Sequence, residues 1–327
     1  MPINGICTLV YGTDQIAKAC DFFHDFGLRE IGSHDGRHTF EVRDGSTVVV
    51  CEEDDPALPA AFLDTPGPRE IIWGVDSQSN LDALVADLGT DRPVEIDDQG
   101  VAHTRDDAGI AIGFKVFAPH QIEQDAALGE NSFPVGTRWN QPRVSFERAT
   151  PGSLNHVVFG IPDVDRNVRF YTQRLGFRIT DISRGVGVFM RCEGRHDHHS
   201  VLFMRLPAIS FRHVSFGVQN IDEMMVGGAW MKAHGWDSKV GLGRHRVSSM
   251  LFYYFSNPAG GEAEFSADGD FLTDEWQPHV WDPVYGNLYW TARGSASTKT
   301  NMVPEAVPFQ PPFRSLNDFD LPAKDSE

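Results

Sequence analysis

The chain has 327 residues, of which 41% are hydrophobic and 23% charged, so it has an ordinary globular composition and enough length for two domains. Its 46 acidic and 28 basic residues give a net charge of -18, which argues against nucleic acid and anionic lipid as partners. The N-terminus has no basic and apolar leader, and no run approaches the roughly 18 apolar residues of a membrane span, so we expect a soluble cytoplasmic protein.

The first predicted elements recur in the middle of the chain. The segments ICTLVYGTDQIAKACDFFHDFGLREIG and NHVVFGIPDVDRNVRFYTQRLGFRITD align without gaps, and each is typical of an apolar strand, an amphipathic helix and a second strand. Asp14 and Asp163 suit the N-termini of the two helices, because a side-chain oxygen there accepts from free backbone N–H groups. Gly27 and Gly176 suit the positions just after the helices, where φ is positive.

Two further segments share the pattern of the first strand. EIIWGV, from Glu70, precedes NLDALVADLG, and HVSFGV, from His213, precedes NIDEMMVGGAWMKAHGW. Short strand-like runs with turn residues between them follow each helix, as in HTFEVRDGSTVVVCEE and LFYYFSNPAGGEAEFSA. The sequence therefore predicts four βαβββ modules, which pair within each half because a single module cannot bury its sheet face.

We accordingly predict an α+β fold of two domains, each formed by two paired βαβββ modules as a cupped, partly open β-barrel with helices outside. The domains are predicted at residues 1–138 and 139–327, because an aperiodic stretch rich in Pro, Asn, Gln and Gly separates the two halves. An extended tail is predicted after about Pro283. Unpaired sheet edges lead us to expect a homo-oligomer.

One equivalent position on the first strand of each module is held by a residue that can bind a metal. His156 and His213 hold it in the third and fourth modules, and Cys7 and Glu70 hold it in the first two. If the modules pair with pseudo-two-fold symmetry, the two imidazoles converge on one point. A late strand of the fourth module, directly after the turn sequence NPAGG, then offers Glu262 and Glu264 on one face, and Glu264 is the predicted ligand.

The same alignment predicts no metal in the first half, because Gly113 takes the place of Glu264 and Glu70 lacks a co-ligand. Two imidazoles and one carboxylate with open positions beside them form the facial triad typical of non-haem Fe(II) oxygenases. The second half is therefore predicted to hold one divalent metal ion, Fe(II) or Mn(II), through His156, His213 and Glu264.

Two motifs carry a family resemblance that covers nearly the whole chain. GRH ends at His245, YFSNPAG begins at Tyr254, and Glu264 follows after three more residues. This spacing resembles the signature G-x-H…Y-x-x-[acid/amide]-P-x-G…E of the type I extradiol catechol dioxygenases of the vicinal-oxygen-chelate superfamily, such as those that cleave 2,3-dihydroxybiphenyl. The run HHS, which contains His199, is similar to the His-His-Ser/Thr segment of that family.

The resemblance implies roles for the residues that match. The three predicted ligands correspond to the iron ligands, His199 to the acid/base histidine of the distal pocket, and His245 and Tyr254 to groups that hydrogen-bond the substrate. Val247 and Ser248 stand where biphenyl-type members often have Asn and Asp, so the ring substituents of the substrate stay open.

Some positions near the motifs are ambiguous from the sequence. The adjacent Tyr253 is an alternative to Tyr254 as the functional tyrosine. His196 and His198, in the polar run RHDHHS, are expected at the surface. Arg244 and Arg246 suit a basic loop, or a site that attracts an anionic substrate.

The resemblance implies ring cleavage: both atoms of O₂ enter a catechol-type ring next to the diol and give a muconic semialdehyde-type product. The cofactor would be Fe(II), with Mn(II) as the alternative. Another metal-dependent enzyme of the superfamily, an isomerase or a hydrolytic enzyme, is a rival interpretation, and so is a protein that only binds a small aromatic. Metal analysis combined with oxygen consumption distinguishes the three.

Overall fold

The structure, a computed structural model, describes residues 3–122, 140, 142–143, 145–293, 307–310 and 312–320. Its first half contains two βαβββ modules. The first module comprises β1 (Ile3–Gly12), α1 (Ile16–Asp25), β2 (Arg29–His34), β3 (Arg37–Glu41) and β4 (Thr47–Cys51). The second comprises β5 (Gly67–Val75), α2 (Gln78–Leu88), β6 (Glu95–Ile96), β7 (Ala102–Arg105) and β8 (Ala111–Val116).

The second half repeats the pattern and adds short strands. The third module comprises β9 (Ser153–Ile161), α3 (Val164–Gln173), β10 (Arg178–Ser183), β11 (Gly187–Arg191) and β12 (Val201–Arg205). The fourth comprises β13 (Ser210–Gly217), α4 (Ile221–Ala233), β14 (Leu242–His245), β15 (Leu251–Ser256) and β16 (Glu262–Ala267). The remaining strands are β17 (His279–Trp281), β18 (Leu288–Thr291) and β19 (Val307–Pro308), with 3-10 turns at Pro283–Tyr285 and Leu316–Phe319.

The modules pair within each half, as predicted. The first sheet has the order β2-β3-β4-β1-β5-β8-β7-β6, and the second has the order β18-β14-β15-β16-β13-β9-β12-β11-β10-β17-β19. In each sheet the first strands of two modules, β1 with β5 and β9 with β13, pair antiparallel at the centre. Within the described residues neither order closes on itself, so the predicted α+β fold of partly open sheets is confirmed. The predicted boundary at residues 138 and 139 lies outside the described residues and stays a prediction.

The helix ends follow the predicted chemistry except at one position. Asp163 is the N-cap of α3 and accepts a hydrogen bond from the backbone N–H of Arg166 at 3.0 Å. Asp14 does not cap α1, because that helix begins one residue later, after Gln15. Gly27 has φ +98° and its backbone lies against Ala149, which closes the turn after α1. In the part of the chain that the structure describes, no helix combines the length and apolar character needed to cross a bilayer.

Aromatic side chains join the two halves in one core. Phe26, at the end of α1, stacks on Phe265 of β16 with ring centroids 4.0 Å apart. Trp73 of β5 meets Phe177 edge to face at 5.1 Å. Buried rings of this size contribute both apolar area and specific geometry. The strands of the second half are therefore held in place by elements of the first.

Gly260, in the NPAGG turn, lies against the first half of the chain and supports a testable prediction. Gly260 has φ +112°, and a Cβ there would lie 2.1 Å from the carbonyl oxygen of Pro66, at the start of β5. Gly260→Ala is expected to lower the free energy of unfolding by about 3–5 kcal/mol, because backbone strain and a backbone clash add. Urea denaturation measures the change. Gly32→Ala, at a site with nothing within 4 Å of the added Cβ, should stay within about 1 kcal/mol of the parent; equal losses would contradict the prediction.

Candidate metal centre

Strand register brings the predicted metal ligands onto one row of the second sheet. His156 of β9 is opposite Ser215 of β13, and Ser215 is opposite Glu264 of β16. The row continues to Tyr254 of β15, which is opposite Glu264. His213 lies two residues before Ser215, so its side chain is on the same face of β13. The small side chain of Ser215 leaves room at the centre of the row.

The three ligand atoms converge at this centre. His156 Nε2 lies 3.2 Å from His213 Nε2 and 3.3 Å from Glu264 Oε2, and His213 Nε2 lies 3.6 Å from the same oxygen. Among the described residues, these three form the group of potential ligands (His, Cys, Asp or Glu) whose atoms lie close enough together to hold a metal ion. His156 and Glu264 are buried, whereas the side chain of His213 is 15% exposed, which gives the cluster access to solvent.

The electrostatics of the cluster suit a divalent cation. Both carboxylate oxygens of Glu264 are buried and lie 3.3–3.6 Å from histidine nitrogens without a well-formed hydrogen bond, so a bound cation would supply a closer partner. Burial raises the pKa of Glu264, but the surrounding imidazoles of His156 and His213 hold that pKa well below its ordinary value. Burial lowers the pKa of His213 to about 3, so its imidazole is neutral near pH 7, as a ligand must be.

The corresponding space in the first half is filled by apolar side chains. Gly113 of β8 is opposite Ile72 of β5, the same register that places Glu264 opposite Ser215, so the alignment made from the sequence agrees with the strand pairing. Ile72 packs there with Cys7 and other buried residues. Glu70 lies in the same row but is paired with a histidine: its Oε1 lies 2.7 Å from Nδ1 of His103, which is opposite Gly113. That hydrogen bond raises the pKa of His103 to about 9.

His199, the predicted acid/base, lies beside the cluster. Its ring centroid is 4.0 Å from that of His156, and Phe189 covers it edge to face at 5.1 Å. Burial, together with the neighbouring His156, holds the pKa of His199 well below its ordinary value. A neutral imidazole at neutral pH is able to accept a proton from a bound molecule.

His245 and Tyr254 meet on the other side of the cluster. His245 Nε2 lies 2.8 Å from the phenol oxygen of Tyr254 and 3.6 Å from Glu264 Oε1. Burial and the Glu264 carboxylate raise the pKa of Tyr254 well above its ordinary value, so the phenol keeps its proton. Tyr253 lies on the opposite face of β15 and packs against Gly228 of α4. The two tyrosines are thus separated by strand alternation, with Tyr254 at the cluster.

The remaining predicted substrate positions lie in the turn between β14 and β15. Val247 and Ser248 are buried there, and Ser248 has φ +73° while its carbonyl accepts a hydrogen bond from the N–H of Asp270 at 2.9 Å. Neither contributes a ligand atom to the cluster. Arg244 is paired with Asp268 at 2.7 Å, and the guanidinium of Arg246 lies 5.5 Å from the ring of Tyr289.

A second expectation from the sequence is wrong, and it concerns His198. The residue is fully buried rather than at the surface, because its ring lies between the carboxylate of Asp181 and the ring of His199. The polar run RHDHHS gave no sign of burial. The feature that could have predicted its burial is its position next to His199, which had a predicted chemical role.

Comparison with known proteins finds a family match within the second half. Residues 153–265 match the family profile described as the Glyoxalase/Bleomycin resistance protein/Dioxygenase superfamily. Metapyrocatechase 2 from Cupriavidus necator is 32% identical over 139 residues, which cover 42% of this chain and 43% of that protein. A 3-methylcatechol 2,3-dioxygenase from Pseudomonas putida is 32% identical over 141 residues, 40% of this chain and 47% of that protein. The chain therefore spans about half the length of the curated relatives it matches.

A solved structure extends the likeness in fold to nearly the whole chain. The Mn(II)-bound glyoxalase from Novosphingobium aromaticivorans has a TM-score of 0.71 at 21% identity, over 94% of this chain and 96% of that one. At this identity the likeness concerns the fold. The paired modules, the strand register and the sequence match agree, and residues 153–265 are a domain of the Glyoxalase/Bleomycin resistance protein/Dioxygenase superfamily.

Proposed function

We propose that this protein is an extradiol ring-cleaving dioxygenase with Fe(II) as its cofactor and a catechol-type substrate. The reaction adds both atoms of O₂ to the ring next to the diol and opens it to a muconic semialdehyde-type product, so it needs no external reductant. The observation that carries the proposal is the convergence of His199, His245 and Tyr254 on the cluster of His156, His213 and Glu264. The relative named for 3-methylcatechol supports the same substrate class.

The ligand set supports a metal-dependent reaction. His156, His213 and Glu264 would hold the metal, and two imidazoles with one carboxylate suit a divalent ion and leave positions open. A metal bound there lowers the pKa of hydroxyl groups that coordinate to it, which makes a diol easier to deprotonate near neutral pH. We propose Fe(II) as this metal, with Mn(II) as the alternative.

The other side chains have separate tasks in the proposed reaction. His199, whose imidazole is neutral, takes up a proton released by the substrate and returns it when the ring opens. His245 and Tyr254 lie within hydrogen-bond distance of each other and orient the diol oxygens. Val247 and Ser248 would line the substrate beyond its diol. Phe189 and Phe252 are buried rings beside His199 and His245, and they exclude water from these groups.

Oxygen uptake tests the proposal directly. Protein purified without oxygen and loaded with Fe(II) is expected to consume one O₂ for each diol and to form a new visible absorption band, with either catechol or 2,3-dihydroxybiphenyl. Loading with Mn(II) in a parallel sample identifies the metal that supports turnover. Hydroquinone, a diol whose hydroxyls are too far apart to chelate one metal, serves as the negative control.

The outcomes separate the proposal from its rivals. Metal-loaded protein that consumes no O₂ with any catechol would refute ring cleavage. Conversion of a substrate without O₂ would instead favour an isomerase or a hydrolytic enzyme of the superfamily, and tight binding of a diol without conversion would favour a protein that only binds aromatics. The expected homo-oligomer and cytoplasmic location stay predictions from the sequence.

A further inference from the structure

A buried carboxylate is connected to His199 through His198. Asp181, on β10, is 1% exposed, and its Oδ2 lies 3.0 Å from His198 Nε2. On the other side of the same ring, His198 Nδ1 lies 3.1 Å from His199 Nδ1. Both imidazoles are buried, so solvent does not compete for these nitrogens.

The last part of the second sheet fixes the carboxylate in place. Strand β17 pairs in parallel with β10 and brings two N–H donors to Asp181. The backbone N–H of His279 donates to Oδ1 at 2.8 Å, and the indole N–H of Trp281 donates to Oδ2 at 2.9 Å. Both oxygens of Asp181 are therefore acceptors, because an indole or backbone N–H only donates.

When His198 is neutral, this arrangement determines which nitrogens carry protons. His198 donates from Nε2 to Asp181, so a neutral His198 presents a lone pair at Nδ1. His199 then has to donate from its own Nδ1, because two lone pairs facing each other at 3.1 Å would repel. The remaining nitrogen of His199, Nε2, is left with a lone pair.

We propose that Asp181 and His198 are positioning residues that hold His199 in the tautomer protonated at Nδ1, with Nε2 as the nitrogen that takes up and returns the proton. This inference rests on the proposed function of His199 as the acid/base. A carboxylate that orients a catalytic imidazole and sets its tautomer is an established device in other enzymes. Here a second imidazole stands between the two.

Two substitutions of His198 separate positioning from packing. His198→Asn keeps an acceptor near Nδ1, whereas His198→Phe keeps a ring of similar size but no acceptor. Positioning predicts that kcat falls by about 10- to 100-fold in His198→Phe and by less than about 10-fold in His198→Asn, with metal content and the KM for the diol unchanged. A packing role predicts the reverse order, because Asn leaves a cavity at this buried site and Phe does not.

Two further variants test whether the fall in kcat depends on the hydrogen bond from His198 to Asp181. Trp281→Phe removes one of the hydrogen bonds that fix Asp181 but leaves the bond from His198, so it should lower kcat by less than His198→Phe does. Asp181→Leu removes the acceptor for His198 and should resemble His198→Phe. Thermal unfolding of all variants identifies any that fail to fold.

Nitrogen-15 NMR of the metal-free protein gives a readout that does not depend on activity. The ring signals of His199, assigned by their loss in His199→Gln, should show a protonated Nδ1 and an unprotonated Nε2. His198→Phe should move the proton to Nε2 in part of the population. A His199 protonated at Nε2 in the parent protein, or a tautomer unchanged in His198→Phe, would overturn the inference. Failure of the parent to cleave any diol would instead refute the proposed function and leave this measurement valid.

Discussion

Glu264→Gln is expected to abolish metal binding and, with it, all turnover of diols. The carboxylate supplies the only negative charge of the ligand set, and both of its oxygens are buried at the point where two histidine Nε2 atoms converge. A neutral amide in its place is a weaker ligand for a hard divalent ion. We expect the affinity to fall by more than the roughly 10- to 100-fold that follows loss of an outer-shell partner. Metal analysis after gel filtration measures the loss.

Thermal unfolding distinguishes loss of the metal from loss of the fold. Metal at about 100 times its Kd should stabilise the parent by about 2.7 kcal/mol and leave Glu264→Gln unchanged. Without metal, the variant should still unfold cooperatively, with a stability at or below that of the parent, because it loses the attraction between the carboxylate and the imidazoles of His156 and His213. Glu262→Gln, the same change two residues earlier on β16, is the matched control and should keep its metal. Full metal occupancy in Glu264→Gln would contradict the ligand assignment.

Much of this site follows from the sequence because the chain repeats. The gapless alignment of the first strands placed His156 and His213 at equivalent positions, and pairing of β9 with β13 brings them together. The alignment of Gly113 with Glu264 also agrees with the register of β8 and β16. Repeats make a local pattern informative about a distant one, since equivalent positions in paired modules are related by symmetry.

Other features depend on contacts that no local pattern encodes. The run LFYYF is apolar on both faces, so only the pairing of Tyr254 with Glu264 decides which tyrosine faces the cluster. His198 is buried beside Asp181, whose carboxylate is held by β17, about eighty residues further along the chain than His198. The sequence also gave no indication that Ile72 fills the space in the first half that Ser215 leaves open in the second.

His199→Gln is expected to lower kcat by about 10²- to 10⁴-fold, the usual contribution of a positioned acid/base group. Gln retains a polar side chain of similar reach, but it neither accepts nor releases a proton near neutral pH. The metal should remain bound, because His199 lies beside the cluster without contributing to the three converging atoms. Single-turnover oxygen consumption, with metal content measured on the same sample, isolates this chemical step.

The matched control for that substitution lies three residues away. His196→Gln changes an exposed histidine whose Nδ1 bonds the carbonyl of Leu272 at 2.9 Å, outside the cluster. It should leave kcat within about twofold of the parent, since surface changes of this kind cost little. If His199→Gln and His196→Gln had the same kcat, His199 would have no part in proton transfer. A fall in kcat of His199→Gln accompanied by loss of metal would assign it a structural role at the cluster instead. The expected pattern, a slow enzyme with full metal content, is specific to a group that moves a proton.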